Sequence, residues 1–374
     1  VLVGIFWCLA IMANLYSDNW RYWISDLNPG IWMAALLMCL NLSVWTSLRS
    51  WKGKAIAWGW QWLILGPGLV VLFVGLYKEA KESADGSIYM DRNFYGTLKV
   101  GRYLDDSGEP YRLLLNGRIT HGYQYESQEA CDLITTYYSY GSGVELAIRF
   151  TPDKEKRVGV VGLGVGTIAG YAQKGDLYSM YDINPAVVNL SSDEQKQFTY
   201  CLNARARGAK VEIIEGDARL AMEREIQTGQ NRQFDVLALD AFSSDSIPVH
   251  LMTREALAIY GKHLKNDGVL AIHISNRYLD LEPVVQRLAR ELSYKMILID
   301  SLDGDDIGED WVYSATWALL SRSEEFIEKV EANGWTRTNL SAQRDLPLWT
   351  DDYASIFRIL RKPDWLPVWL GGGE

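Results

Sequence analysis

Residues 158–171 read VGVVGLGVGTIAGY, and the fold is decided on this stretch. An apolar run of single-strand length breaks at Gly162, Gly164 and Gly166 and passes into a segment of helical composition. Glycines at such a turn allow a tight backbone path and let a ligand lie against bare main chain. Thr167 stands where the dinucleotide fingerprint G-x-G-x-x-G places its last glycine. The turn therefore suits a nucleoside lacking a diphosphate better than it suits a dinucleotide.

Outward from this turn the pattern repeats. VGVVGLG, LYSMYDIN, VEIIEGDA, FDVLALDAF, GVLAIHIS and MILIDS are short apolar runs separated by helical lengths. Runs apolar on both faces build a buried parallel sheet wrapped by helices, so residues 151–365 are expected to form an α/β, Rossmann-like domain. TWALLSR and ASIFRIL are expected to extend that sheet antiparallel at one edge. Upstream, Tyr95 to Tyr103 and Tyr111 to Leu115 flank the turn-rich DDSGEP, which predicts a small antiparallel unit. With a helix over Gln128 to Tyr138 it makes an N-terminal β-domain at 88–150, preceded by a polar linker at 79–87.

The first 78 residues are of another kind. Val1 to Tyr16, Ile31 to Leu48 and Ala55 to Leu76 contain no Asp, Glu, Lys or Arg, and the third is long enough to cross a hydrocarbon core as a helix. Trp20, Trp23, Trp32, Trp51, Trp58 and Trp60 near their ends suit an interfacial aromatic belt. Three transmembrane helices are expected, and the opening Val suggests that further sequence precedes the first. Basic residues fall on both sides of the third span, at Arg49, Lys52 and Lys54 and at Lys78, Lys81 and Arg92, so charge leaves the orientation open. A cytoplasmic soluble part is expected from where a nucleoside ligand would be made.

A formal charge of −10 argues against a nucleic-acid partner and is compatible with cationic ligands. The four cysteines and four histidines show no zinc spacing, and DGDDIGED at 303–310 lacks the EF-hand pattern, so no metal is expected.

In open α/β sheets ligands bind at the carboxyl ends of strands, and several of these ends carry Asp. Asp182 can accept hydrogen bonds from both hydroxyls of a ribose, or it can cap the helix that Asn184 and Pro185 open. Asp217 and the Ala218 amide can meet an adenine edge, with a helix cap again the alternative. Asp240 and Asp245 follow the fourth strand, and two carboxylates over one pocket suit a cationic substrate and a proton acceptor. His121, His250 and His273 read as hydrogen-bonded structural groups.

Taken in order, RNFYGTLKV, LLLNGRITHGYQY, YYSYGSGVELAI, VGLGVGT, YDINPAV, EGDAR, LDAFSSDSIPVHLMT and LWTDDYASIF resemble the spermidine synthase family. These are the polyamine aminopropyltransferases, and the likeness is greatest to their membrane-fused bacterial branch. The resemblance implies a small β-domain on a class I methyltransferase-like sheet, in a multi-pass protein of the bacterial inner membrane. It further implies transfer of an aminopropyl group from decarboxylated S-adenosylmethionine to a polyamine-type amine. Gly162, Gly164 and Gly166 would face the sulfonium ligand, Asp182 its ribose, and Asp217 with Ala218 its adenine. Asp240 would activate the amine and Asp245 would hold its charge. Gln128 and Asp351 fall near family positions that line the acceptor pocket. Membrane lipid, a membrane-protein complex partner and a small homo-oligomer are compatible with this reading. Where soluble members carry DGxxQ, this chain has Asn116, Gly117, Arg118, Ile119 and Thr120. An S-adenosylmethionine-dependent methyltransferase of the same fold and a non-catalytic accessory subunit are the alternatives.

Overall fold

A computed structural model describes residues 77, 81, 86–117, 119–152, 154–192, 197–241, 248–301, 309–341 and 346–361. The three apolar stretches, most of the 79–87 linker, Arg118, Asp245 and residues 303–308 lie outside the described residues. Among the described residues no helix is long and apolar enough to cross a membrane. The chain divides into compact units Val1–Asp85 and Gly86–Glu374, and both sheets belong to the second.

The smaller sheet is an antiparallel meander of β1 (Ser87–Asn93), β2 (Gly96–Leu104), β3 (Pro110–Asn116) and β4 (Ile119–Tyr125), in that order. DDSGEP makes its central turn, where Asp105 Oδ1 accepts from the backbone N–H of Ser107 at 2.9 Å and of Glu109 at 2.8 Å. Such local bonding is why Asp opens turns. Leu98, Val100 and Leu114 form the buried face.

The larger sheet contains β5 (Arg157–Val161), β6 (Leu177–Asp182), β7 (Lys210–Glu215), β8 (Phe234–Leu239), β9 (Leu264–His273), β10 (Lys295–Ser301) and β11 (Ala315–Ser321). Its spatial order is β10-β11-β9-β8-β5-β6-β7. Strands β5 to β9 pair in parallel, as expected from their unbroken apolar runs. This is the Rossmann-like, class I methyltransferase-like sheet. Val158 pairs with Tyr178 of β6 on one side and Val236 of β8 on the other, so the direction of winding reverses at β5 and a crevice opens at its carboxyl end. Both faces are buried. Val236 and Ala238 of β8 join one core layer, and Leu237 and Leu239 the other.

Three expectations need correction. TWALLSR is β11, yet it lies inside the sheet, antiparallel to both β9 and β10, and MILIDS (β10) becomes the edge strand. Trp317, Ala318, Leu319 and Leu320 are all fully buried, and an edge position would leave such a run uncovered. ASIFRIL is no strand. Its Ile356–Ile359 segment is a 3-10 turn with Phe357 80% exposed, because only Ile359 has a core to enter. Residues 128–138 form turns rather than a helix. Thr135 gives its hydroxyl to the Tyr123 carbonyl at 2.6 Å, and Thr136 takes a left-handed φ of 60°.

The helix begins later, as α1 (Gly143–Phe150), capped by Ser142 Oγ, which accepts from Glu145 N at 3.3 Å. Its first residue rests on β11, where a Cβ at Gly143 would lie 2.2 Å from Cβ of Trp317. Gly143→Ala is therefore expected to cost about 1–3 kcal/mol of stability by overpacking. A lowered urea midpoint of tryptophan emission would report it; an unchanged midpoint would mean that α1 shifts freely on the sheet.

Candidate active site

The strand ends around β5 are stitched together by backbone bonds. Gly162 N donates to Tyr181 O at 2.9 Å, Asp240 N to Val161 O at 2.8 Å, and Gly216 N to Asp182 O at 2.8 Å. The consequence is that residues far apart in sequence end on one rim.

A cavity of about 270 Å³ opens at this rim. Its walls include Gly162, Gly164, Asp182, Asp217, Ala218 and Asp240, six of the residues singled out from the sequence. The opposite wall comes from the small sheet, with Tyr95, Leu98, Leu114, Asn116 and His121. Pro248, His250 and Leu251 close it on the β8 side.

The glycines serve packing as well as access. At φ +97° Gly162 would set a Cβ 2.2 Å from the Asp240 carbonyl oxygen, so only glycine lets the β8 end come this close. Gly164, at φ +52°, would place one 2.9 Å from the His121 carbonyl. Gly166 is a correction: it is not on the cavity wall but turned back against Cys201, whose Sγ an added Cβ would meet at 2.9 Å.

Asp182 ends β6 and lies under the glycine turn. Its Oδ2 accepts from Leu163 N at 2.9 Å and its Oδ1 from Asn184 N at 2.8 Å. Burial pushes its pKa above the ordinary carboxylate value, and the backbone N–H groups of Asn184, Leu163 and Gly164 only partly offset this. The cap of α2 (Pro185–Leu190) is Asn184, not Asp182. Asp217 takes the helix-cap role and also stands in the cavity wall. It caps the helix Ala218–Gln227, which follows α3 (Tyr200–Ala206) as α4, through Leu220 N at 2.9 Å, and its Oδ2 lies 2.9 Å from Nε2 of His250.

Asp240 sits deepest, with its side chain 4% exposed. Tyr138 donates its hydroxyl to Oδ2 in a very short bond, and Nδ1 of His273 lies 2.7 Å from Oδ1. Burial drives the carboxyl upward, but His273, the Tyr138 hydroxyl and His121 outweigh it and hold the pKa below the ordinary value. Asp240 is therefore an anion at neutral pH. His121 is pushed down by burial, against the pull of Asp240, so it is neutral there, and its Nε2 is buried with no hydrogen-bond partner among the described residues.

Two further residues are not in the cavity wall. Gln128 is exposed on the turn after β4, because the helix expected to present it does not form. Asp351 is exposed too, held away by Arg219 and by the Thr253 hydroxyl at 2.8 Å. Tyr138, in the cavity wall and bonded to Asp240, was not singled out; its signal is the YYSYG of the motif run. Among the described residues no group of His, Cys, Asp and Glu is arranged to hold a metal.

No family model matches the chain. Over 139 residues it is 30% identical to the polyamine aminopropyltransferase of Vibrio vulnificus (strain CMCP6). The chain is similar to polyamine aminopropyltransferases. The match covers 36% of this chain and 42% of that relative, less than half of the curated protein's length. Among solved structures, the spermidine synthase of Thermotoga maritima is 14% identical with a TM-score of 0.44, over 75% of this chain and 85% of that one. A probable spermidine synthase from Corynebacterium glutamicum ATCC 13032 is 13% identical with a TM-score of 0.46, over 68% and 91%.

Gly162→Ala should cost about 1–3 kcal/mol, since it forces a side chain into left-handed backbone against a carbonyl. Chemical denaturation would measure it, and wild-type stability would mean that the β5 and β8 ends are not packed this closely.

Proposed function

We propose that the chain is a membrane-anchored aminopropyltransferase of the spermidine synthase type. It moves an aminopropyl group from decarboxylated S-adenosylmethionine to a small-molecule amine. The observation that carries this reading is the convergence of Asp182, Asp217 and Asp240, from the ends of β6, β7 and β8, on one cavity beside the glycine turn. The similarity to a polyamine aminopropyltransferase supports it.

Asp182 is suited to a ribose hydroxyl, since its two oxygens offer about four lone-pair sites and the backbone N–H groups of Leu163, Asn184 and Gly164 do not use them all. Ala218 opens α4, so its N–H lacks an intrahelical partner and is free for an adenine acceptor next to Asp217. Asp240 faces the amine.

An ammonium has no lone pair, so the acceptor must lose a proton before it attacks. Asp240 takes that proton as a new O–H bond. The freed nitrogen pair forms the C–N bond, the C–S bond breaks toward sulfur, and the nucleoside departs as a neutral thioether. The total charge of ammonium, sulfonium and carboxylate is unchanged in the products. Proton transfer from an amine of pKa about 10.4 to a carboxyl near or below about 3.9 is uphill by roughly 9 kcal/mol in water. The site must therefore lower the amine's pKa, and two features of the proposed complex do so. Leu98 and Leu114 desolvate the ammonium, and the adjacent sulfonium repels it. In-line positioning supplies further rate.

Asp240→Asn should lower kcat by about 10²- to 10⁴-fold, with calorimetric affinity for decarboxylated S-adenosylmethionine within about 3-fold of wild type. Unchanged turnover would remove Asp240 from the chemistry. Tighter binding of ordinary S-adenosylmethionine would favour methyl transfer, and binding of neither would end the nucleoside reading.

The apolar N-terminal stretches anchor the chain in a bacterial inner membrane on this reading, with the catalytic unit in the cytoplasm beside its nucleoside co-substrate. In sealed inside-out vesicles added protease should then digest the catalytic unit. Digestion only in right-side-out vesicles would reverse the topology.

A further inference from the structure

We propose that His273 is the positioning residue for Asp240, a ring clamped between two aromatic faces so that its Nδ1–H fixes the carboxylate beneath the cavity. The proposal rests on the reading of Asp240 as the proton acceptor and goes beyond it by naming what orients that group.

The geometry is specific. His273 is the last residue of β9 and pairs in register with Trp317 of β11. Its ring stacks on Trp317 at 4.9 Å with an interplanar angle of 22° and on Tyr137 at 4.7 Å with an angle of 20°. The two faces are tied to each other, because Trp317 Nε1 donates to the Tyr137 carbonyl at 3.2 Å. Trp317 in turn is fully buried under the first residue of α1. The two faces restrict tilting of the imidazole, and its Nδ1 lies 2.7 Å from Asp240 Oδ1. Since Asp240 is ionised at neutral pH, Nδ1 carries the hydrogen and donates.

Among the described residues the titratable neighbours of Asp240 are Tyr138 at Oδ2, His273 at Oδ1, Tyr137, whose hydroxyl also bonds it, and His121 from β4. Tyr138 approaches from the chain segment before α1 and His273 from the sheet. These donors hold the carboxylate from two sides and restrict its orientation. An orientation fixed to this degree is what a proton acceptor needs, because misplacement by about 1 Å costs rate heavily.

The test uses the full chain in two variants. His273→Phe keeps a flat ring between Tyr137 and Trp317 and removes the donor; His273→Asn restores a donor near the Nδ1 position. With ¹³C-labelled aspartate, infrared difference spectra against Asp240→Asn isolate the Asp240 carboxyl band and its titration midpoint without need of any substrate. His273→Phe should move that midpoint to higher pH, and His273→Asn should return it toward wild type. Where turnover is measured, His273→Phe should lower kcat by about 10- to 100-fold. It should also move the acid limb of the pH profile upward, leaving KM for the nucleoside within about 3-fold. A midpoint unmoved in His273→Phe overturns the proposal, as does an equal shift in His273→Asn. Absence of turnover in wild type would count against the proposed reaction alone, since the infrared midpoint still decides the role of His273.

Discussion

The site depends on keeping one carboxylate charged out of water. At 4% side-chain exposure Asp240 faces a desolvation cost that would ordinarily drive it to its neutral form. The surrounding structure supplies the compensation: the Tyr138 hydroxyl on one oxygen, the His273 ring on the other, and His121 within electrostatic reach. Each comes from a different part of the chain, so the charge state of one residue records the correct meeting of β4, the segment before α1, β8 and β9. The long sheet can be seen as the device that brings these donors together. Reversal of winding at β5 opens the crevice, and insertion of β11 between β10 and β9 puts Trp317 behind His273.

Asp182 makes a contrast within the same cavity. It is also buried and it also accepts backbone N–H groups, yet burial prevails and its pKa rises. At Asp182 only backbone N–H groups oppose burial, whereas at Asp240 the His273 ring and the Tyr138 hydroxyl do so together. The two carboxylates are thus held in different electrostatic settings a short distance apart, one poised as an anion and the other easier to protonate. Such divergence is usual where two acids over one ligand do different work.

Much of this was legible in the sequence where local rules decide. The parallel strands followed from apolar runs, the meander from DDSGEP, and the carboxylates from their place at strand ends, a consequence of sheet geometry that holds in any doubly wound fold. What was not legible rested on long-range partners. Whether TWALLSR lies at the edge or inside depends on what covers its two faces, and nothing in seven residues says so. Residues 128–138 carry helix-compatible composition, but Thr135 and the Thr136 backbone are claimed by Tyr123 and Trp311, which are distant in the chain. Gln128 failed with that helix. Tyr138 escaped notice and His273 was read as a structural group because an aromatic or a histidine in an apolar setting is usually core, and only their contact with Asp240 separates them from that majority.

The small sheet meets the glycine turn through reciprocal omissions of side chains. Gly164 leaves room for the His121 carbonyl, and Gly122 of β4 leaves room for Val165, where an added Cβ would come within 2.6 Å of Cγ2. Neither surface could be redesigned alone, because a methyl group on either would prise the two apart. The β-meander is consequently not a portable module. A chimera carrying the small sheet of another protein on this larger one would have to import the matching vacancies with it. Change in what the cavity admits is thus channelled toward substitutions within the wall, at positions such as Asn116 and Tyr95, rather than wholesale exchange of the sheet.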